Sequence, residues 1–209
     1  MSIILLSAEA QIEKLAGPRV GVTMITPGSF SSIIRGDVSM FSDQVREEWT
    51  GSTGKYGAAI TQYGWQWESR FADGGDITGI VEWIALVGGM EKGMFLPSAS
   101  SMVGLRTAKG IEFAIGPNLS LGGIAMVFGA GYNFKFGKLN VPVNIAYVPS
   151  MNKTYNHDSE YEWVEYEYDD GDDQPSTGGG YEIETSKKYS VTHPTGARIS
   201  VMVGFNLSK

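Results

Sequence analysis

Ile124-Ala-Met-Val-Phe-Gly-Ala-Gly-Tyr-Asn-Phe-Lys-Phe136 is the stretch on which the reading of the fold turns. Its even positions carry Ile124, Met126, Phe128, Ala130, Tyr132, Phe134 and Phe136. Its odd positions carry Ala125, Val127, Gly129, Gly131, Asn133 and Lys135. A period of two held over this length marks a β-strand whose faces meet different surroundings. The flanking text, residues 111–150 and 196–209, alternates in the same way.

Working outward, the same pattern recurs along the chain. Residues 18–26 place Val20, Val22 and Met24 opposite Arg19, Gly21 and Thr23. Residues 57–71 place Tyr63, Trp65, Trp67 and Phe71 opposite Gln62, Gln66, Glu68 and Arg70. Residues 77–89 oppose Trp83 to Glu82, and a strand ending at Thr107 opposes Leu105 to Arg106. Residues 111–116 oppose Phe113 to Glu112, with 117–123 read as a turn. Residues 139–148 follow, with Pro142 expected to cost a ladder bond because it has no N–H. The count is about eight strands. Tight turns near 72–76, 108–110 and 137–138 alternate with two long connections, 27–56 and 150–189. Ser42 to Trp49 is expected to form a short helix inside the first of these.

Short turns on one rim and long loops on the other describe an all-β, up-and-down antiparallel transmembrane barrel, with periplasmic turns and extracellular loops. Mean hydropathy of −0.10 does not oppose this, because alternating strands average to neutral. No apolar run approaches the ~20 residues of a spanning helix. The formal charge of −7 and the lack of a basic patch argue against nucleic acid as a partner. The chain has no Cys, hence no disulfide and no thiolate metal site. Residues 1–10 read as the remnant of a signal peptide, Ser7-Ala-Glu-Ala10 supplying the small-residue cleavage pattern. The barrel domain is then 11–209.

In this register Arg19, Glu68, Arg70, Glu82, Arg106, Glu112, Lys135 and Arg198 share the inner side. Each Arg or Lys turned toward lipid near the midplane would cost about 2–4 kcal/mol, so the charges are placed in the lumen. A barrel of this size is filled by its own side chains, so the expected interior is a polar charge network and not a diffusive pore. Phe71, Phe113, Phe134, Phe136 and Phe205 fall at the short-turn end, as a periplasmic aromatic rim would.

Gly104-Leu-Arg-Thr-Ala-Lys-Gly-Ile-Glu-Phe-Ala-Ile-Gly-Pro-Asn-Leu-Ser-Leu-Gly-Gly123 and Leu139-Asn-Val-Pro-Val-Asn-Ile-Ala-Tyr-Val-Pro149 carry the closest family wording. The chain resembles small OmpA/OmpX-type outer-membrane β-barrels, and among them uncharacterised barrel domains of Gram-negative envelopes. The resemblance implies a monomer in contact with outer-membrane lipid. It brings no catalytic residue and no cofactor.

Three kinds of function compete. The leading expectation is a non-enzymatic barrel that presents loops or supports the envelope, its acidic extracellular loop being where a protein partner would bind. The second is a lipid A hydrolase or acyltransferase using His157 or His193 with Ser159, Ser190 or nearby acids. The third is a soluble lipocalin-like binder, disfavoured by inward charges and outward Trp65 and Trp67. Asp169-Asp-Gly-Asp-Asp173 lacks the ligand spacing of a calcium loop, and no metal site is expected. Tyr161, Trp163, Tyr166 and Tyr168 alternate loosely with glutamates, suggesting a β-extension past the membrane.

Overall fold

A computed structural model describes residues 14–40, 42–166 and 179–207. The signal-like residues 1–10 and the Asp169–Asp173 cluster lie outside the described residues. Alternating text becomes strand throughout. The strands are β1 (Lys14–Ile25), β2 (Ala58–Asp73), β3 (Ile77–Gly88), β4 (Leu96–Thr107), β5 (Ile111–Ser120), β6 (Gly123–Phe136) and β7 (Leu139–Val148). Four further strands occupy the second long connection: β8 (Asn152–His157), β9 (Glu160–Tyr166), β10 (Gly179–Ser186) and β11 (Tyr189–Pro194). The chain ends with β12 (Arg198–Gly204) and β13 (Asn206–Leu207).

Neighbours in sequence pair antiparallel from β1 to β7, and β12 pairs with both β1 and β7. The sheet therefore closes into an eight-stranded up-and-down barrel, with β12 and β13 forming one broken strand. Both keep the same register against β7, and the break falls at Phe205, next to Gly204, which stands opposite Pro142. The missing N–H of Pro142 thus costs ladder bonds toward the last strand, while its pairing with Asn133 of β6 is kept. Within the barrel ladders the register shifts between Arg70 and Ala72, a bulge at the lower end of β2.

Two sequence expectations need correction. Residues 117–120 belong to β5 and not to a turn, leaving only Leu121 and Gly122 before β6. Pro117 is accommodated because the β4–β5 ladder is interrupted between Ser100↔Asn118 and Val103↔Ile115. Ser42 to Trp49 forms only a 3-10 turn at Asp43–Val45, without a side-chain cap on Ser42. The helix of that connection is α1 (Ser29–Arg35), closed by Gly36 in the left-handed conformation with its N–H on the Ser32 and Ile33 carbonyls.

The second long connection is a two-part hairpin and not a featureless loop. β8 pairs with β11, and β9 pairs with β10 beyond it. Its paired strands supply the expected β-extension, with Glu160, Glu162 and Glu165 exposed, while Tyr168 lies outside the described residues.

Candidate functional site

Strand parity decides which side chains meet inside the barrel, and register decides at what height. A row of cross-strand partners on the inner face is built from Gly104, Ala114, Gly129 and Ala146, continued by Ser200 and Thr23. Small side chains all along one row cannot fill the axis. A cavity of about 90 Å³ remains there, enclosed by Gln62, Glu82, Met102, Val127 and Met202 among others. It is room for about three waters at ~30 Å³ each, too little for a channel.

Below this cavity lies the charged floor. Arg106 donates from Nη1 and Nη2 to the two oxygens of Glu68, at 2.5 Å each, and from Nε to Glu112 at 2.5 Å. Arg19 donates from Nε to Gln66 at 2.7 Å and from Nη1 to Asn206 at 3.0 Å. Gln66 passes the chain on, its Nε2 donating to Glu82 at 2.5 Å. All five charged members are at most 4% exposed. The close approach of Arg19 needs Gly204, where a Cβ would lie only 1.4 Å from Nη1.

The remaining expected members stand apart. Arg198 sits near the other end, donating to Ser120 at 2.8 Å and Asn118 at 3.2 Å, with its guanidinium 5.8 Å from the Phe30 ring centre. Arg70 is only half-buried toward the short-turn end. Lys135 keeps the inward parity of β6 but is exposed, because it lies one residue from the end of its strand. It does not belong to the buried set. Gln66, which bridges Arg19 and Glu82, and Asn206, which accepts from Arg19, were legible as inward-facing positions but not as partners of the charges.

The upper lumen mixes apolar clusters with the Arg198–Asn118–Ser120 and Thr23–Gln62 hydrogen bonds, so apolar packing shares this end of the interior with polar contacts. Met102, Ala125, Val127 and Val148 form one buried cluster. Ile25, Ile60 and Leu96 form another with Phe30 and Ile34 of α1. Phe30 and Ile34 are four apart and share one helix face, which seats α1 into the mouth as a plug. The first long connection therefore caps the barrel.

The hairpin extension fastens this cap. Both histidines of the chain contribute. His193, 6% exposed, stacks on Trp49 at 3.8 Å between ring centres, and its Nε2 lies 2.6 Å from the Glu47 carbonyl. His157 stacks on Tyr189 at 4.5 Å, with Nε2 3.0 Å from the Arg46 carbonyl. Two consecutive carbonyls of the first connection are thus held by one imidazole each. Neither ring forms a hydrogen bond with Ser159 or Ser190: Ser159 accepts from the Lys188 N–H, and Ser190 donates to Asn156. Among the described residues no group of three or more His, Asp or Glu is arranged to hold a metal.

The outer face is the counterpart of the floor. Along the outward positions of 16–24, 59–71, 77–87, 97–105, 111–119, 124–136, 139–147 and 199–205 no Asp, Glu, Lys or Arg occurs. The five expected rim phenylalanines, Phe71, Phe113, Phe134, Phe136 and Phe205, are all outward and exposed toward the short-turn end. No known family, characterised protein or solved structure matches the chain in comparison.

Proposed function

We propose that this chain is a small outer-membrane β-barrel of a Gram-negative envelope, non-enzymatic, which holds an acidic hairpin at the cell surface. The observation that carries the reading is the uncharged, apolar outer face on every barrel strand. Trp65, Trp67, Trp83, Phe128 and Ile145 are each more than 40% exposed there. A surface of that extent is unfavourable in water and is what a lipid bilayer would cover. The strands, 10 residues or longer from β1 to β7, suit a tilted crossing that takes about 9–11.

Orientation follows from the ends. The short turns between β2 and β3, β4 and β5, and β6 and β7 lie at the aromatic rim, which is assigned to the periplasm. The α1 cap and the β8–β11 extension lie at the opposite, extracellular end. With a plugged mouth and a charged floor, the barrel serves as an anchor and not as a conduit. The engagement of both histidines with main-chain carbonyls supports the non-enzymatic reading over lipid modification. The resemblance to OmpA/OmpX-type barrels points the same way.

The test is cell fractionation with heat-modifiable electrophoresis after expression with an export signal. The protein is expected in the outer-membrane fraction, with an unboiled band that migrates apart from the boiled one. Recovery in the soluble fraction without detergent would overturn the reading.

A further inference from the structure

The β9–β10 hairpin carries an exposed surface of aromatic and acidic residues. Register places Trp163 opposite Glu182, Tyr161 opposite Glu184 and Glu165 opposite Gly180, so these six residues share one face. Tyr161 is 60% exposed and Trp163 58%. The Trp163 ring is laid across Gly180, where a Cβ would come within 2.4 Å of it. The indole is thereby a fixed platform with carboxylates beside it. Among the described residues β9 and β10 pair only with each other, leaving one open edge on each strand.

Charge is segregated in the same stretch of sequence. Eleven of the 23 acidic residues lie between Asp158 and Glu184, a span without Lys, Arg or His. The other 12 acids are outnumbered by the 16 Lys and Arg, so the rest of the chain is formally positive. Aromatic faces attract cations through the ring quadrupole, and flanking carboxylates add Coulomb attraction. Open strand edges accept an added strand through main-chain hydrogen bonds. Like-charge repulsion disfavours a second copy of the same hairpin as that strand.

We infer that the Tyr161–Trp163 face and the adjoining edge of this hairpin dock an extended Lys- or Arg-rich polypeptide segment of about seven residues, the length of β9. The inference rests on the proposed surface placement and names the chemistry of its partner. Alternate cationic side chains of the segment lie over Trp163 and Tyr161 and pair with Glu182, Glu184 and Glu165. The opposite alternation points away and is left unspecified. A hairpin that is marginal as two strands gains a third on binding.

The test uses the full chain in phosphatidylcholine nanodiscs, whose lipid has no net charge to attract the probe. A fluorescein-labelled (Lys-Thr)4 peptide is titrated by anisotropy, with (Glu-Thr)4 as control. Saturable binding of the lysine peptide alone is expected, weakening by about tenfold as screening rises between 50 and 300 mM salt. Glu182→Gln with Glu184→Gln is expected to weaken it by about tenfold. Trp163→Leu is expected to weaken it by about threefold, at an exposed position where folding is checked by heat-modifiable migration.

Equal binding of both peptides, or none of the lysine peptide, would overturn the docking inference. So would calcium binding to a hairpin that ignores the peptide, or mass doubling of the protein without peptide. Protease treatment of intact cells separates this inference from the reading beneath it. Cleavage of the hairpin without peptide binding sinks the docking and keeps the placement. Peptide binding by a hairpin that intact cells protect sinks the surface placement and keeps the docking.

Discussion

Arg106 satisfies two carboxylates at once, Glu68 through a two-pronged contact and Glu112 through Nε, with all three side chains buried. Taking charges out of water is costly, and only matched geometry repays it. Arg106→Met is therefore expected to destabilise the barrel by about 3–5 kcal/mol, because it leaves two carboxylates buried without their cation. Urea unfolding in detergent micelles measures this, and a loss below 1 kcal/mol would show that the floor is not held by Arg106. At this scale parity alone placed Arg19, Glu68, Glu82, Arg106 and Glu112 correctly. It could not tell that Lys135 leaves the lumen, since parity carries no information on how far a strand end stands into solvent. Nor could it separate Arg198 from the floor, because height in the barrel comes from register and not from alternation.

At the scale of elements, the long strands were legible because each one repeats its pattern over many residues. α1 was not, because it has only 7 residues, three of them Ser, and no side-chain cap. Its position depends on contacts with Ile25, Ile60 and Leu96, which are remote in sequence. The β3–β4 connection offers an element-scale test outside the barrel strands. Glu91 accepts from the Thr61 hydroxyl at 2.5 Å and from the Thr61 N–H at 2.9 Å. The Thr61 hydrogen bonds hold its carboxyl below the usual glutamate value. A lowered folded-state value means that the stabilisation is present above about pH 4.3, the unfolded reference, and is lost as pH falls through the folded value. Hydrogen exchange at Thr61, corrected for its intrinsic pH dependence, should lose protection below pH 4.3 in the native chain. Glu91→Gln should flatten that response; an unchanged response in the variant would remove Glu91 from the connection's stability.

At the scale of the molecule, three layers run along the barrel axis: a charged floor, a small cavity under a ceiling of mixed polarity, and a helix plug whose connection two histidines hold at the Arg46 and Glu47 carbonyls. Closure and strand number were implied by the sequence, whereas the two-residue turn between β5 and β6, at the end of the long connections, was not. The stratification was not, because it arises where small residues of Gly104, Ala114, Gly129 and Ala146 line up across four strands. The central claim is that the even positions of Ile124 to Phe136 meet lipid while the odd ones meet the lumen or, at Lys135, the rim. The chain has no Cys, so single cysteines can be placed at each of these positions in turn. Labelled with a fluorophore and reconstituted in vesicles with brominated lipid, positions 126, 128, 130, 132 and 134 should be quenched. Cysteines at 125, 127 and 133, buried in a lumen too small for the label, should resist labelling and give no quenched signal. Quenching that ignores the alternation, or that favours the odd positions, would contradict the account.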